Sequence, residues 1–451
     1  MAERETWTTR LGFILAAVGS AVGLGNIWRF PFLAADSGGG AFLVIYLIAI
    51  VVIGLPALLA EFVIGRRAQV DAIGAFREIG HGSWRFIGAI GVLASFWTLS
   101  YYSVIGGWVI RYIFGSATGS AFQNTGEYFS AVSMGQGAII LHVVFMLITI
   151  GIVALGVERG IETATKLMVP SIVLFLLGLA VYTFFQPGAM EGYQFLFNPD
   201  FSAITDEPTT IIPAAVGQAL FSLSVGFSVM ITYASYLGDD DDLATDGISI
   251  AITNTFVGIL AGVVVLPLLF VGNTFATGAG GGPGAVFVAI PIALSKFGGF
   301  GQLLGVIFFF VVLIAALSSA ISLLEAPVAY VVDEFDIPRL YATLGIGGVA
   351  FLLGTLSAWD TAWLTWFDNI GVSLLLPLAV LFVVIFVGWI MGNTAVEELQ
   401  KGLASPTLAK TWLWGLRTFV LVAVIVVVLL NLHDLFITAE TGTYYVPPPL
   451  Q

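Results

Sequence analysis

Apolar stretches about as long as a bilayer-crossing helix recur along almost the whole chain, and they restrict its possible folds more than any other feature. A helix needs about 20 mostly apolar residues to cross a membrane. Of the 451 residues, 59% are hydrophobic and only 10% are charged, which is more apolar surface than a soluble fold could bury. The sequence therefore predicts one all-α, polytopic membrane domain over residues 1–451 rather than several soluble domains.

Eleven such stretches can be delimited, and they are called spans 1 to 11. Their predicted limits are residues 11–35, 41–65, 86–114, 137–156, 166–185, 211–237, 246–272, 300–332, 339–356, 366–392 and 411–432. No charged leader with a small-residue cleavage site precedes span 1, so we expect span 1 to be retained.

The basic residues predict the orientation in the membrane. With a cytoplasmic N-terminus, twelve of the fifteen basic residues fall on the inside. They are Arg4, Arg10, Arg66, Arg67, Arg77, Arg85, Arg159, Lys166, Arg339, Lys401, Lys410 and Arg417. Because cytoplasmic loops are enriched in Lys and Arg, we expect a cell-membrane protein with a cytoplasmic N-terminus and an extracellular tail over 433–451.

The charge balance is acidic for so apolar a chain, with a net charge of −13. Acids gather in loops, including an unbroken run from Asp239 to Asp242. Such a run is usually a solvated face. The alternative, which we favour for the whole composition, is the acidic, lysine-poor surface of a halophile's protein.

Several chemistries are disfavoured. The chain has no cysteine, and its three histidines (His81, His142 and His433) are too far apart in sequence to match a metal spacing. It also lacks the GxSxG and HExxH motifs of hydrolases. We expect neither an enzyme nor a nucleic-acid partner.

Span 1 is interrupted by glycines and polar residues. Gly12, Gly19, Gly23 and Gly25 are followed at once by Asn26 and Arg29. Glycines alone could serve close helix packing. A buried guanidinium, however, costs at least about 3 kcal/mol unless it has a partner, and a helix breaks at membrane depth only where the freed backbone groups line a cavity or meet a ligand. The pattern predicts a broken helix at a polar site.

Span 6 repeats this pattern five helices later. It carries Gln218, Ser222 and Ser224 at its middle, and the residues 225–227 (VGF) echo 22–24 (VGL). Two broken helices at corresponding positions are typical of transporters built from two inverted five-helix repeats. We expect repeats over 11–185 and 211–392, with 411–432 as an additional helix.

Together these motifs resemble the neurotransmitter:sodium symporter family. The likeness is carried by GSAVGLGNIWRFP (19–31), GGGAF (38–42), GQALFSLSVGF with ITYASY (217–227 and 231–236), Asn254, and AALSSAISLLE (315–325). It covers Arg4 to about Gly392, although the chain has eleven spans where the family's bacterial leucine transporter has twelve. The resemblance implies a sodium-coupled symporter that works by alternating access.

The resemblance implies two sodium sites made of uncharged oxygens. The first would use the Ala21 carbonyl, Asn26, Ser222, Asn254 and the substrate's carboxylate. The second would use the carbonyls of Gly19, Val22 and Ala315 and the hydroxyls of Ser318 and Ser319. Taken alone, Ser318 and Ser319 could equally bond to their own helix.

The resemblance also implies an amino acid substrate. Amine carriers of the family have Asp where this chain has Gly23, whereas amino acid carriers have Gly, which leaves room for the substrate's carboxylate. The implied substrate-binding residues are Ala21, Gly23, Leu24, Gly25, Thr98, Tyr102, Phe221, Ser222, Ser224, Phe227, Ser319 and Leu323. Because no charged residue is among them, we expect a neutral, mostly hydrophobic amino acid.

Charged pairs are expected to close the two ends of the site. Arg29 should pair with Asp368 on the outside, and Arg4 with Asp333 on the inside. Glu61 is expected to support the unwound part of span 1. Because a buried acid at membrane depth is costly, Glu325 should also have a partner.

A chloride site is a further possibility. The leucine transporter has an acid at the position of Gly258, and chloride-dependent relatives have a serine there. This chain keeps the other expected anion ligands, Tyr46, Gln218, Ser222 and Asn254. Two buried cations beside one substrate carboxylate would favour an added anion, with Glu61 as the rival source of negative charge.

One alternative to symport remains open at this point. A sodium-dependent amino acid receptor, or a channel-like protein, could use the same cation and amino acid sites. The sequence names neither the amino acid nor the stoichiometry.

Overall fold

The computed structural model describes residues 5–238, 241–274, 284–403, 405–436 and 447–448. Across these ranges every regular element is a helix. Nine of these helices are long and apolar enough to cross a membrane, or ten if one bent pair counts as a single span. The prediction of an all-α, multi-pass membrane protein is confirmed, as expected where a bilayer forces each backbone to bond within its own helix.

The continuous spans extend beyond most of their predicted limits. Spans 2 to 5 are Gly40–Ala68, Gly82–Thr118, Gln136–Ala154 and Val157–Phe184, and spans 7 to 11 are Leu243–Gly272, Gly298–Phe335, Arg339–Trp359, Thr361–Met391 and Pro406–His433. Shorter helices lie at Ala75–Glu78, Thr125–Ser133, Ala189–Phe197, Ser202–Asp206, Gly284–Ser295 and Asn393–Gln400.

Span 1 consists of two helices joined at an angle. Its first helix is Arg10–Ala21 and its second is Gly25–Asp36, and the two axes differ by 51°. The break falls at Val22, Gly23 and Leu24, inside the glycine-rich run. The interruption that the sequence predicts in span 1 is therefore present.

Span 6 is broken more completely. Its first helix is Pro208–Ser222 and its second is Val229–Ala234, with residues 223–228 between them outside any helix. Neither piece alone has the length of a crossing helix, so the total of eleven spans stays a prediction. The inverted repeats over 11–185 and 211–392 stay predictions as well.

Span 8 positions the site because it packs against spans 1, 3, 4, 5 and 9. Its middle third is buried on all sides, from Ala315 to Ala329. The breaks of spans 1 and 6 thus lie in the interior of the bundle, where freed backbone groups must find partners within the protein or a ligand.

Candidate functional site

The two broken segments face each other through serines. The Ser20 hydroxyl donates to Ser224 Oγ at 3.2 Å, and the Ser224 hydroxyl donates to the Ser20 carbonyl oxygen at 3.0 Å. Ser319 of span 8 donates to the same carbonyl at 2.9 Å. Spans 1, 6 and 8 therefore meet at one buried polar point.

The broken part of span 6 holds two serines in the left-handed region. Ser224 has φ 54° and Ser228 has φ 57°, which costs a non-glycine residue about 1–3 kcal/mol. Span 3 fixes this segment, because the Ser95 hydroxyl donates to the Phe227 carbonyl and Ser228 Oγ donates to the Gly88 carbonyl at 3.3 Å. The strain is retained because neighbouring helices determine the conformation.

Glu61 supports the broken part of span 6 rather than that of span 1. Its buried carboxylate oxygen Oε1 accepts a hydrogen bond from the Gly226 amide at 2.6 Å. The reason is the close approach of span 2 to the second helix of span 6: a Cβ at Gly65 would lie 2.0 Å from the Ile231 carbonyl oxygen. We expected Glu61 to support span 1, but its hydrogen-bond partner is the Gly226 amide of span 6.

A cavity of about 360 Å³ lies between the two breaks and span 3. Its lining residues are Ser20, Ala21, Gly23, Gly25, Thr98, Tyr102, Phe221, Ser224, Phe227, Ser319 and Leu323. Ten of the twelve residues expected to bind substrate are among them. The other two, Leu24 and Ser222, lie just outside this lining.

Gly23 leaves space that no other residue could leave. A Cβ at this position would lie 2.2 Å from Ser319 Oγ and 3.0 Å from Tyr102 Oη. The next amide along the chain, that of Leu24, donates to Tyr102 Oη at 3.2 Å. The hydroxyl of Tyr102 thus lies at the start of the second helix of span 1, beside the cavity.

Phe221 and Tyr102 separate this cavity from a second one of about 590 Å³. The Phe221 ring packs on Gly25, where a Cβ would come within 2.6 Å of the ring carbon Cε1. Both aromatic residues line both cavities, so their side chains form the wall between them.

Arg29 and Asp368 line the second cavity without forming the expected direct pair. Asp368 Oδ1 instead accepts from the Tyr101 hydroxyl at 2.8 Å, and Arg29 Nη1 is buried without a hydrogen-bond partner. The Arg29 guanidinium lies 5.0 Å from the centre of the Phe221 ring, a cation–π distance. Arg29 therefore interacts with the Phe221 ring, and Asp368 is hydrogen-bonded to Tyr101.

At the opposite end of the bundle, Trp7 closes over span 6. Its indole Nε1 donates to the Tyr233 carbonyl oxygen at 2.9 Å, and its ring meets the Tyr233 ring edge-on at 5.2 Å. The Tyr236 hydroxyl donates to Glu325 Oε1 at 2.7 Å, and Arg339 forms an ion pair with the same carboxylate. The expectation that Glu325 has partners is met by these two residues.

The expected inner pair cannot be followed, because Arg4 lies outside the described residues. Its proposed partner Asp333 accepts a hydrogen bond from the Asp71 amide at 2.9 Å. The pairing of Arg4 with Asp333 stays a prediction.

The residues assigned to the first sodium site lie together. Asn26 Nδ2 donates to Asn254 Oδ1 at 2.8 Å and to its carbonyl oxygen at 3.1 Å, and Asn254 Nδ2 donates to Ser222 Oγ at 3.3 Å. Asn26 Oδ1 is buried without a hydrogen-bond partner. An uncharged, unpaired oxygen of this kind fits a hard cation such as sodium.

The residues assigned to the second sodium site also converge. The Ser318 hydroxyl donates to the Ala315 carbonyl oxygen at 3.0 Å and lies 3.4 Å from that of Val22. A Cβ at Gly19 would lie 3.4 Å from the Ser318 Cβ. Span 1 and span 8 therefore present hydroxyl and carbonyl oxygens to one small region.

The four residues proposed to hold chloride adjoin the first sodium site. Tyr46 Oη lies 3.1 Å from Ser222 Oγ, and Gln218 Nε2 donates to the Gly25 carbonyl oxygen at 2.9 Å. A Cβ at Gly258 would lie 3.4 Å from Asn26 Nδ2, which is ordinary contact. The glycine thus opens a small space bordered by N–H and O–H groups.

Two residues of the site were missed by sequence reasoning. Ser20 stands between Gly19 and Ala21, which were both assigned to ion or substrate binding, so its position in the run could have indicated it. Tyr101 precedes the assigned Tyr102, and only the packing of span 3 against span 10 reveals its contact with Asp368.

These features define a polytopic membrane protein with a cavity at two broken helices. The chain belongs to the sodium:neurotransmitter symporter family, whose family model matches residues 4–131 and 128–448. The resemblance found in the sequence is thereby confirmed.

Individual relatives cover nearly all of the chain. An uncharacterized sodium-dependent transporter of Bacillus subtilis is 36% identical over 94% of this chain and 97% of its own length. The human sodium-dependent neutral amino acid transporter SLC6A17 is 26% identical over 89% of this chain and 69% of its own length. The crystal structure of MhsT in complex with L-phenylalanine matches with a TM-score of 0.86 and 39% identity, covering 95% of this chain and 100% of MhsT.

Proposed function

We propose that the protein is a sodium-coupled symporter that takes up a neutral, mostly hydrophobic amino acid by alternating access. The observation that carries this proposal is the largely buried, uncharged lining of the cavity of about 360 Å³ between the broken segments of spans 1 and 6. None of its lining residues in the described part of the chain is charged. The relatives give support, since MhsT has been crystallised with L-phenylalanine and SLC6A17 is named as a neutral amino acid transporter.

The amino acid's carboxylate would bind at the start of the second helix of span 1. Unpaired amides at a helix N-terminus favour an anion. The Leu24 amide and the Tyr102 hydroxyl are 3.2 Å apart, so one carboxylate could contact both. The space at Gly23 would admit this group.

The ammonium group would bind on the opposite side, at the carbonyl oxygens freed where the helices break. The carbonyls of Ala21, Phe221, Ser222 and Ser224 would supply these oxygens. A cation is stabilised by the C-terminal end of a helix, and the first helix of span 1 and the first helix of span 6 both end here. The cavity thus offers opposite partial charges to the two ends of a zwitterion.

The side chain of the substrate would lie against Phe221, Phe227 and Leu323. Fully burying a side chain of the size of Leu or Phe is worth about 1.5–3 kcal/mol. A charged side chain would lose its hydration without gaining a partner. This contrast is the reason for expecting a neutral and mostly apolar amino acid.

Sodium would be coupled to the substrate through direct contact at the first cation site. The substrate's carboxylate would supply a ligand beside Asn26 Oδ1, which has no partner within the protein. Each then increases the affinity for the other, as reciprocal coupling requires. If two sodium ions enter with one zwitterion, 100 mV supplies about 4.6 kcal/mol, or roughly three decades of accumulation.

Alternating access would use two different closures. Phe221 and Tyr102 separate the cavity from the opening lined by Arg29 and Asp368, while Trp7 and its contacts with span 6 close the other end. If one closure opens while the other stays closed, the cavity is exposed to only one side of the membrane at a time.

Two measurements on the purified protein test this proposal. Thermal unfolding should shift upward with neutral, apolar amino acids in sodium and much less in potassium. In liposomes, labelled amino acid inside should exchange for unlabelled amino acid outside without unitary currents. Binding without exchange would favour a receptor, and unitary currents would favour a channel.

A further inference from the structure

Two carboxylates cross between the N-terminal residues and the start of span 5, in opposite directions. Glu162 of span 5 accepts a hydrogen bond from the Thr8 amide at its Oε2 and one from the Thr9 hydroxyl at its Oε1, each at 2.9 Å. Glu5 of the N-terminal segment accepts one from the Val157 amide at 2.9 Å. The N-terminal segment thus places Glu5 at the start of span 5, and span 5 places Glu162 at the start of span 1.

Both acids lie at helix N-termini, where backbone amides have no partner within their own helix. The first helix of span 1 begins at Arg10, one residue after Thr9, and span 5 begins at Val157. A negative charge at such a terminus satisfies free amides and interacts favourably with the helix dipole. Glu5 therefore caps span 5 directly. Glu162 acts through the N-cap of span 1, because Thr9 Oγ1 accepts from the Gly12 amide at 3.0 Å while the Thr9 hydroxyl donates to Glu162. We call this pair of contacts the reciprocal cap.

The fit around Glu162 is close. The side chain is buried, and Lys166 Nζ lies 2.7 Å from Oε1. Gly12 of span 1 makes room for the carboxyl group, since a Cβ there would lie 2.2 Å from both Cδ and Oε1. The carboxylate is thus held directly against the first helix of span 1.

The fit around Glu5 is similar. Arg339 Nη1 lies 3.0 Å from Glu5 Oε2. Gly156, which precedes the start of span 5, has φ 91°, and a Cβ there would lie 2.4 Å from Glu5 Oε1. The backbone at Gly156 therefore allows the acid to reach the Val157 amide.

We propose that Glu5 and Glu162 form a reciprocal cap that keeps the cytoplasmic side of the transporter closed. Assigning this side to the cytoplasm rests on the proposed function. When the first helix of span 1 moves away to open the cavity inward, the Val157 amide loses its bond to Glu5, and Thr8 and Thr9 lose their bonds to Glu162, at the same time. Release of span 1 thus loosens the start of span 5, and Glu162 is a positioning residue of the transport cycle.

The absence of cysteine from the sequence allows a direct test with a single reporter. Ser235 is only 3% exposed and borders the cavity of about 880 Å³ at this end of the bundle. In a Ser235→Cys background, the rate of maleimide labelling measures how often this region opens. The measurement does not require transport.

Two variants disrupt the cap, one through a residue of span 5 and one through a residue of span 1. Glu162→Gln removes the charge, and Gly12→Ala displaces the carboxyl group without changing any atom of span 5. Both should raise the labelling rate by about tenfold, the population shift expected on losing a charge-assisted hydrogen bond. The matched controls, Glu158→Gln at an exposed acid of the same segment and Gly178→Ala at a glycine with open space, should label at the rate of the reporter protein.

Amide hydrogen exchange supplies a second readout. Gly12→Ala should increase exchange at the start of span 5, over Val157–Glu162, which a change confined to span 1 would not otherwise affect. Wild-type labelling and exchange in Gly12→Ala, together with wild-type labelling in any folded Glu162→Gln protein, would overturn the reciprocal cap. Faster labelling in a protein without sodium-driven uptake would instead retain the cap and refute the proposed function.

Discussion

Asn26 donates two hydrogen bonds to Asn254, one to its side-chain oxygen at 2.8 Å and one to its carbonyl oxygen at 3.1 Å. This contact joins the second helix of span 1 to span 7. The side-chain oxygen of the same residue, Asn26 Oδ1, is buried and has no hydrogen-bond partner. A buried acceptor of this kind costs about 1–3 kcal/mol unless something binds it. A sodium ion beside the substrate's carboxylate would satisfy it.

Replacing Asn26 with Ala should therefore weaken sodium binding. We expect the sodium concentration that gives half of the maximal thermal shift with substrate to rise by about tenfold or more, because one ligand is lost from a small site. Asn124→Ala removes an exposed asparagine and serves as the control. Unchanged sodium dependence in Asn26→Ala would remove this residue from the cation site.

Replacing Gly23 with Asp should abolish amino acid binding. The new carboxylate would meet the substrate's own carboxylate in a desolvated cavity, a like-charge contact that costs several kcal/mol. Its Cβ would also crowd Ser319 and Tyr102. Gly23→Ala separates the steric effect from the charge and should retain more affinity than Asp. If Gly23→Asp binds the wild-type substrate within about tenfold, the carboxylate lies elsewhere.

Uptake should be stimulated by chloride. Gly258 leaves no acid near the two proposed cations, and the space beside it is bordered by Asn26 Nδ2 and Tyr46 Oη. Replacing chloride with gluconate should slow sodium-driven uptake, since two buried cations beside one carboxylate leave a charge that an anion would balance. Full activity of the wild type in gluconate would contradict a chloride site.

Gly258→Glu should make uptake independent of chloride, whereas the uncharged Gly258→Gln should not. The first added carbon at this position makes only ordinary contacts, so neither substitution is blocked at its Cβ. Chloride dependence that persists in Gly258→Glu would place the anion elsewhere.

The loop between spans 2 and 3 should make stability depend on pH. Burial, with a smaller contribution from the charges of Asp333 and Glu334, raises the pKa of Asp71 to about 6, although the amides of Ile73 and Gly74 donate to its carboxylate. The folded protein therefore favours the protonated acid more than the unfolded chain does. This contribution to stability is fully present below the ordinary Asp value and is lost as the pH rises through about 6.

From this residue alone, the wild type should be more stable at pH 5 than at pH 8 by about 1.4 kcal/mol of unfolding free energy, and its melting temperature should be correspondingly higher. Asp71→Asn keeps the acceptor for both amides and should reduce this pH dependence. Asp206→Asn, at an exposed acid that ends the short helix Ser202–Asp206, should leave it unchanged. An identical pH profile in Asp71→Asn would show that Asp71 does not titrate in this range.

Local sequence was sufficient to locate the breaks of spans 1 and 6. Glycines beside Asn26 and Arg29, and serines beside Gly226, have no reason to stand in an unbroken lipid-crossing helix. The residues that line the cavity were implied by the family resemblance, and those of spans 3 and 8 lie outside the two broken runs. Residues adjacent to a break are positioned by the chain itself, so their spacing is informative.

Contacts between distant spans could not be predicted from local sequence. Glu61 bonds to Gly226 because spans 2 and 6 approach closely at Gly65, and Asp368 bonds to Tyr101 because span 3 packs on span 10. Arg29 meets the face of Phe221 rather than an acid. Such partners depend on helix packing angles and rotations, which periodicity in one sequence does not determine.

Sodium-driven uptake by purified protein in liposomes tests the central claim most directly. With sodium outside and a negative interior potential set by potassium and valinomycin, uptake of a neutral, apolar amino acid should exceed the equilibrium level and should fall when the potential is removed, because net positive charge enters with each substrate. Replacing external sodium with potassium should abolish it. Undiminished accumulation without sodium would contradict the account.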